Sequence, residues 1–116
     1  MIRTFKETPW FTRQWQALGL DDEALRTLQN MLMEDPESGD LIVGTGGVRK
    51  IRFAFLGRGK SGSARVCYVD FRRYEVIYLI TVYKKAVKED MTQQERNAVR
   101  QLVAKLKAEE RIISNP

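Results

Sequence analysis

Histidine is absent from the 116-residue sequence, and cysteine occurs once, as Cys67. A single cysteine excludes an intramolecular disulfide and a metal site built from several thiolates. The lack of histidine removes the commonest metal ligand and the commonest general base. Cys67 lies in the apolar segment VCYV, which is typical of a small buried strand residue, and no histidine exists to activate its thiol. The sequence therefore argues against zinc chemistry and against a cysteine nucleophile.

Long apolar runs are also missing, and the first residues, MIRTFKETPW, carry charge from Arg3 onward. A secretion signal needs an uninterrupted apolar segment, so we expect a cytoplasmic protein with no membrane partner. The length, with 43% hydrophobic and 30% charged residues, is typical of one globular domain over residues 1–116. A formal net charge of +5 and a pI near 9.6 favour a polyanionic partner, nucleic acid above a membrane surface.

The first forty residues contain one short alternating segment and two helical patterns. Residues 2–6 are compatible with an opening strand. Thr8 and Pro9 have the residue types that cap and begin a helix, and Gly19 ends it. A second helix begins at residue 21 or 22, with acidic residues in its first turn, and ends before Pro36. The apolar stripe of each helix is most simply core.

Three strands and a long helix are predicted for the rest of the chain. The strands are expected at 48–55, 64–71 and 75–83. The first two are joined by a flexible glycine-rich hairpin loop at 57–63. Thr92 and Glu95 form the capping-box pattern that begins a final amphipathic helix, with a frayed tail from residue 112. The predicted element order is β-α-α-β-β-β-α.

Alternation in the first of these strands separates an apolar face, which includes Phe53, from a cationic one. In the last strand, the same alternation places Tyr83 on the face of Leu79 and opposite that of Ile80. The predicted cationic surface collects side chains from three adjacent strands: Lys50, Arg52, Arg65, Tyr83 and Lys85. Such a convergence of positive charge costs stability unless an anion is bound there.

Glycine and positive charge are concentrated between Gly44 and Val69, which hold six of the eight glycines and six cations without one acidic residue. The cations are Arg49, Lys50, Arg52, Arg58, Lys60 and Arg65. Unopposed cations on a strand, loop and strand indicate phosphate binding, although a cationic sheet face is often only a solvated surface. The pair Gly46 and Gly47 can take positive φ angles and let another backbone or a phosphate approach. The segment Gly59-Lys60-Ser61 falls between two strands, which disfavours a nucleotide-binding loop.

Cleaving RNA would use such a surface in a specific way. The reaction needs a base for the ribose 2′-OH proton, a cation for the charge that develops at the phosphate, and an acid for the leaving oxygen. Without histidine, a lysine of lowered pKa or a tyrosine would have to transfer the protons.

Three segments resemble the HigB branch of the RelE toxin superfamily, and the similarity extends over nearly the whole chain. They are GTGGVRKIR at 44–52, GRGKSGSARV at 57–66 and YKK at 83–85. The resemblance implies an α+β fold of order β-α-α-β-β-β-α, in which a small, mostly antiparallel, twisted sheet carries an N-terminal helical hairpin and a C-terminal helix. It also implies the toxin of a type II toxin–antitoxin pair. Such a toxin is a metal-independent endoribonuclease that enters the ribosomal A site and cuts translated mRNA by 2′-OH attack, which inhibits translation and growth.

The resemblance implies roles for individual residues where the sequence matches the family pattern. Arg65 would stabilise the transition-state charge, Lys50 or Arg52 would take the 2′-OH proton, Lys85 would contact phosphate, and Tyr83 is the nearest phenol. Contacts with mRNA or ribosomal RNA are implied for Arg49, Arg58, Lys60 and Lys84. Relatives commonly carry Asn and Glu where this chain has Ala86 and Val87, so the leaving-group acid stays open.

The implied partners are the ribosome, mRNA and a cognate antitoxin, a small HigA-like helix-turn-helix protein that alone would contact operator DNA. No metal and no cofactor are implied. Two alternatives from other classes stay open: a non-catalytic toxin of the same fold, such as a gyrase poison, and a plain RNA-binding or ribosome-binding protein. A 2′,3′-cyclic phosphate product would distinguish the enzyme from both.

Overall fold

The computed structural model of the chain describes residues 2–57, 60–86, 88 and 90–114, with only the backbone described at 56, 57, 60 and 61. The helices and strands follow in the order β1 (Thr4–Glu7), α1 (Pro9–Ala17), α2 (Asp22–Glu34), β2 (Asp40–Leu41), β3 (Arg49–Gly57), β4 (Lys60–Phe71), β5 (Val76–Lys84) and α3 (Gln93–Ser114). A single 3-10 turn, Arg72–Tyr74, joins β4 to β5 at the predicted turn.

The strands form one sheet in the order β1-β5-β4-β3-β2. Only β1 and β5 are parallel, and the three other pairs are antiparallel. The α+β class and the mostly antiparallel sheet are therefore confirmed. The predicted element order is confirmed too, apart from the two-residue strand β2, which the sequence analysis did not predict.

Side-chain caps begin the three helices where the sequence predicts them. The hydroxyl of Thr8 accepts a hydrogen bond from the Phe11 amide at 3.0 Å and donates one to the Ile80 carbonyl at 2.7 Å, which ties the start of α1 to β5. Thr92 and Glu95 form the reciprocal capping box, with donor–acceptor distances of 3.1 and 2.9 Å. α3 then continues as a helix to Ser114. The prediction of a frayed tail from residue 112 is therefore wrong for residues 112–114.

The sheet separates two apolar clusters. The cluster under α1 and α2 contains Phe11, Trp15, Leu28, Leu32, Phe53, Val66, Tyr68 and Leu79. The cluster under α3 contains Val48, Cys67, Val69, Ile80, Met91, Val99 and Val103. Alternation in β3 and β4 therefore distributes side chains as predicted, but α3 covers much of the face that the sequence analysis described as cationic. The positive charges are left at one end of that face.

A register shift in β5 corrects the predicted position of Tyr83. Cys67 pairs with Thr81, whereas the next residue of β4, Tyr68, pairs with Leu79, so Ile80 is an extra residue in β5. Such a bulge interrupts the two-residue period of a strand. Tyr83 accordingly packs in the same cluster as Ile80, on the face opposite Leu79.

The predicted hairpin loop at 57–63 is mostly strand. β3 and β4 remain paired up to Gly57 opposite Lys60, and the pairs Phe55–Gly62 and Ala54–Ser63 precede it. The turn residues Arg58 and Gly59 lie outside the described residues. Long pairing fixes Arg65 in a regular ladder, so the site is built on strands and not on a loop.

Candidate nucleic-acid interface

A row of three side chains crosses the face of the sheet that carries α3, from the exposed Arg52 through the half-buried Arg65 to the buried Tyr83. Arg52 of β3 lies directly opposite Arg65 of β4, and Arg65 lies directly opposite Tyr83 of β5. Opposite residues of an antiparallel pair project to the same face with their Cβ atoms about 5 Å apart. Two arginines in this relation repel each other, so the row favours a bound anion over an empty surface.

Lys50 lies one pair further along β3, opposite Cys67, on the same face as Arg52. Its side chain is 22% exposed and forms an ion pair with Asp90, in the connection between β5 and α3. The hydrogen bond from Lys50 lowers the pKa of the Asp90 carboxyl, and the nearby charges of Arg96 and Arg65 lower it further. Asp90 is therefore a carboxylate surrounded by three cations.

Arg65 and Arg96 each hold a buried nitrogen without a hydrogen-bond partner in the described part of the chain. The atoms are Arg65 Nη1 and Arg96 Nε. A buried donor left unpaired costs about 1 to 3 kcal/mol, so two such donors at one site are a notable departure from ordinary packing. Arg96 was not predicted as a site residue. The available signal was a cation in the first turns of α3, where the helix dipole favours anions.

Tyr83 forms the buried floor of the row. Its hydroxyl shares a hydrogen bond with the thiol of Cys67, and the Lys88 ammonium lies 5.0 Å from the centre of its ring. Burial raises the pKa of the Tyr83 phenol, and the neighbouring Cys67 adds to the effect. Burial also raises the pKa of the Cys67 thiol to about 12. Both groups hold their protons at neutral pH, which agrees with a buried sheet residue at Cys67.

The remaining predicted contacts fall at different places. Lys84 ends β5 and Lys85 follows it, and both are exposed. Lys84 lies opposite Ala64 of the cluster under α1 and α2, so it projects from the other face of the sheet than the row. Arg49 is a neighbour of Lys50, but its Nη1 donates to the carbonyls of Gly39 at 2.7 Å and Glu37 at 3.2 Å, so its guanidinium braces the connection between α2 and β2. Two further predicted contacts are not located: Arg58 lies outside the described residues, and only the backbone of Lys60 is described.

The glycine pair at 46 and 47 lies away from this row. Both residues have positive φ angles, +80° and +115°, as predicted. What approaches Gly46 is α3: a Cβ at this position would lie 3.5 Å from a methyl carbon of Val103. That distance is an ordinary van der Waals contact, so the positive φ angle, which other residues rarely adopt, accounts for the glycine, and phosphate approach is not needed to explain it.

Clusters of metal ligands are not found in the described residues, where no three Cys, Asp or Glu side chains are grouped so as to hold an ion. The donors that do converge, guanidinium and ammonium groups, are ligands for anions. None of the described helices is both long and apolar enough to cross a membrane.

Over residues 2–112 the chain matches the family model described as the RelE toxin of the RelE/RelB toxin–antitoxin system. The chain belongs to this family, which confirms the resemblance to the RelE superfamily and implies an antitoxin as a partner. Among solved structures, the chain is similar to a double arginine-to-alanine mutant of the Escherichia coli toxin RelE in the free state, with 19% identity and a TM-score of 0.51. That alignment covers 77% of this chain and 90% of the other, and it supports the fold.

Proposed function

We propose that this protein is a metal-independent mRNA interferase that cuts translated mRNA in the ribosomal A site and thereby inhibits translation and growth. The observation that carries the proposal is the row of Arg52, Arg65 and Tyr83, with Lys50 beside it. Two arginines held face to face on rigid strands provide paired guanidinium groups for phosphate oxygens at fixed positions. Family membership supports the toxin class, and the row supports an RNA phosphate as its target.

The proposed reaction is an intramolecular displacement at phosphorus. The ribose 2′-oxygen forms a bond to the adjacent phosphorus while the bond from phosphorus to the 5′-oxygen breaks. The products are a 2′,3′-cyclic phosphate and a 5′-hydroxyl end. Charge that builds up on the phosphate oxygens in the transition state is stabilised by Arg65, as electrostatic stabilisation of this kind is often the largest catalytic contribution.

Lys50 is the better of the two candidates for the base. A guanidinium keeps its proton under physiological conditions, whereas an amine can exchange one. We therefore assign acceptance of the 2′-OH proton to Lys50 and phosphate binding to Arg52. Lys85, exposed at the end of β5, contacts the phosphate from the open side. We propose that Lys85 also delivers a proton to the leaving 5′-oxygen.

Tyr83 is assigned a positioning role. Its hydroxyl is committed to Cys67, and a phenol whose pKa is raised by burial is a poor proton donor for the leaving oxygen. Tyr83 lies directly opposite Arg65 on the neighbouring strand, and the charge of that guanidinium acts on its phenol. We propose that Tyr83 limits the directions in which Arg65 can point.

Ribosome and antitoxin contacts follow from the distribution of charge. Lys84 and Lys85 are exposed at the end of β5. We propose that they, with Arg58 and Lys60, contact the RNA backbone of the mRNA or the ribosome. We propose that Arg49 also contacts the RNA backbone, through the guanidinium nitrogens that do not donate to the carbonyls of Glu37 and Gly39. The antitoxin is a helix-turn-helix protein that covers the basic face or blocks entry to the ribosome. It contacts operator DNA on behalf of the pair, which acts in the cytoplasm.

The chemistry of the cut ends tests the proposal. Purified protein would be added to a defined mRNA on translating ribosomes, and the termini of the fragments would be determined. Cyclic-phosphate and 5′-hydroxyl ends that require ribosomes support the interferase. Uncut mRNA with inhibition of DNA supercoiling would instead show a gyrase poison. Uncut mRNA that is retained by the protein would show an RNA-binding protein.

A further inference from the structure

The strongest unexplained feature of the molecule is the carboxylate of Asp90 among three cations from different elements. Lys50 comes from β3, Arg65 from β4 and Arg96 from α3. Asp90 makes its ion pair with Lys50. The guanidinium groups of Arg65 and Arg96 act on Asp90 through charge, yet each keeps one buried nitrogen unbonded in the described part of the chain.

The Asp90 carboxylate leaves this set incompletely satisfied. Lys50 donates to one of its two oxygens, and neither of the unbonded guanidinium nitrogens donates to it. A phosphate diester offers two charged oxygens and two bridging ones in a tetrahedral arrangement, so it can bond donors that approach from several directions. Buried donors are normally hydrogen-bonded, so the two unpaired nitrogens indicate positions where an oxygen of such an anion could accept a hydrogen bond.

We propose that Arg96 is a further phosphate-binding residue of the site, and that Asp90 is an internal anion that competes with the RNA phosphate for Arg65 and Arg96. This inference rests on the proposed function for the identity of the anion, an RNA phosphodiester. The last helix then contributes directly to the site through the turn that follows its capping box. When the phosphate binds, the Asp90 carboxylate leaves Lys50 and moves into solvent, where half of its side chain already lies.

Binding of inorganic phosphate tests the site without any need for RNA cleavage. The side-chain Nε–H resonances of the arginines would be followed by nuclear magnetic resonance as phosphate is added at low ionic strength. The resonances of Arg65 and Arg96 should shift together along one binding curve. Arg100 is an exposed arginine one turn further along α3, and its resonance should stay in place.

Three single substitutions refine the test. Arg96→Gln should weaken phosphate binding by about tenfold, the typical effect of losing a hydrogen bond to a charged group. Asp90→Asn should tighten it several-fold, because the competing charge is removed while the shape is kept. Arg100→Gln makes the same change in net charge as Arg96→Gln and should leave the binding curve unchanged. Asp90 is half exposed, so its variant remains informative even if Arg96→Gln unfolds.

Several results would overturn the inference. They are an Arg96 resonance that does not respond, equal binding by the Arg96→Gln and Arg100→Gln variants, or an Asp90→Asn variant with unchanged affinity. If phosphate binding depends on Arg96 but the protein leaves mRNA uncut, the phosphate site is supported and the proposed interferase activity is contradicted. If ribosome-dependent cleavage occurs and neither Arg96→Gln nor Asp90→Asn changes its KM, the proposed interferase activity is supported and the phosphate site at Arg96 is contradicted.

Discussion

Arg52 and Arg65 lie directly opposite each other on β3 and β4, on the face of the sheet that carries α3. Like charges in this relation destabilise a sheet, whereas opposite or neutral pairs stabilise it. The fold therefore holds two guanidinium groups together at a cost that packing alone does not explain. A site that must bind phosphate accounts for that cost.

Replacing Arg52 with threonine should therefore make the protein more stable and less active. Arg52→Thr removes the repulsion and puts a β-branched residue in a strand, so we expect a gain of about 0.2 to 1 kcal/mol in the free energy of unfolding. Thermal melts at low salt measure the gain, which should shrink at high salt because screening weakens the repulsion in the parent. Arg52→Lys keeps the charge and serves as the control. A less stable Arg52→Thr variant at low salt would contradict this account of the pair.

The ion pair between Lys6 and Glu110 should contribute strongly to the attachment of α3. Glu110 is 2% exposed, and both of its carboxylate oxygens accept from Lys6 Nζ, at 2.8 and 3.0 Å. Lys6→Met leaves this buried charge unpaired, and we expect a loss of about 2 to 3 kcal/mol, less than for a fully buried pair because Lys6 is partly exposed. Urea unfolding measures the loss. The double variant with Glu110→Leu should recover most of it, and a double variant as unstable as the single one would contradict the explanation.

Acid should loosen the start of α3 through Glu95. Burial alone would raise the pKa of this carboxyl, but hydrogen bonds from Lys88 and from the Thr92 amide outweigh it, so the pKa lies below its ordinary value of 4.5. The stabilisation is then complete above pH 4.5 and is lost as the pH falls through the lowered folded pKa. Glu95→Gln removes this titration and should show a flatter loss of stability in acid. Parallel unfolding curves for the parent and the variant across this range would rule out the role of Glu95.

Cys67 should be unreactive in the folded protein. Burial raises the pKa of the Cys67 thiol to about 12, and the thiolate is the reactive form, so iodoacetamide at neutral pH should modify Cys67 only after unfolding.

Tyr83→Phe keeps the ring opposite Arg65 and removes only the hydroxyl. Because Tyr83 is not assigned a proton-transfer role, the variant should retain an mRNA cleavage rate within about tenfold of that of the parent protein. A loss of a hundredfold or more, the usual cost of removing a general acid, would instead assign the proton donor to Tyr83.

Local rules predicted most of the fold. Thr8, Asp21 and Thr92 are N-cap residues as their type and position indicated, and the alternation of β3 and β4 sorted their side chains between two clusters. The bulge at Ile80 was not predictable in the same way, because it is a mismatch between two strands and leaves no signal in β5 alone. It reversed the predicted face of Tyr83.

The site was predicted in part for a similar reason. Lys50, Arg52 and Arg65 belong to adjacent strands, so strand order and alternation were enough to bring them together. Arg96 and Asp90 join them only because α3 crosses the same face, and the direction of a helix across a sheet depends on tertiary packing. Arg49 is a cation of the same strand as Lys50 and Arg52. Its guanidinium nevertheless donates to the carbonyls of Glu37 and Gly39, away from the row.

The most direct test of the central claim compares Arg65, in the middle of β4, with an arginine just beyond the end of that strand. Primer extension on a defined mRNA in a purified translating system would be run with the parent, with Arg65→Ala and with Arg72→Ala, an exposed arginine just beyond Phe71. We expect new 5′ ends within the A-site codon that require ribosomes, persist in Arg72→Ala and fall by about a hundredfold or more in folded Arg65→Ala. Full cleavage by a folded Arg65→Ala variant, or uncut mRNA with the parent protein, would contradict the account.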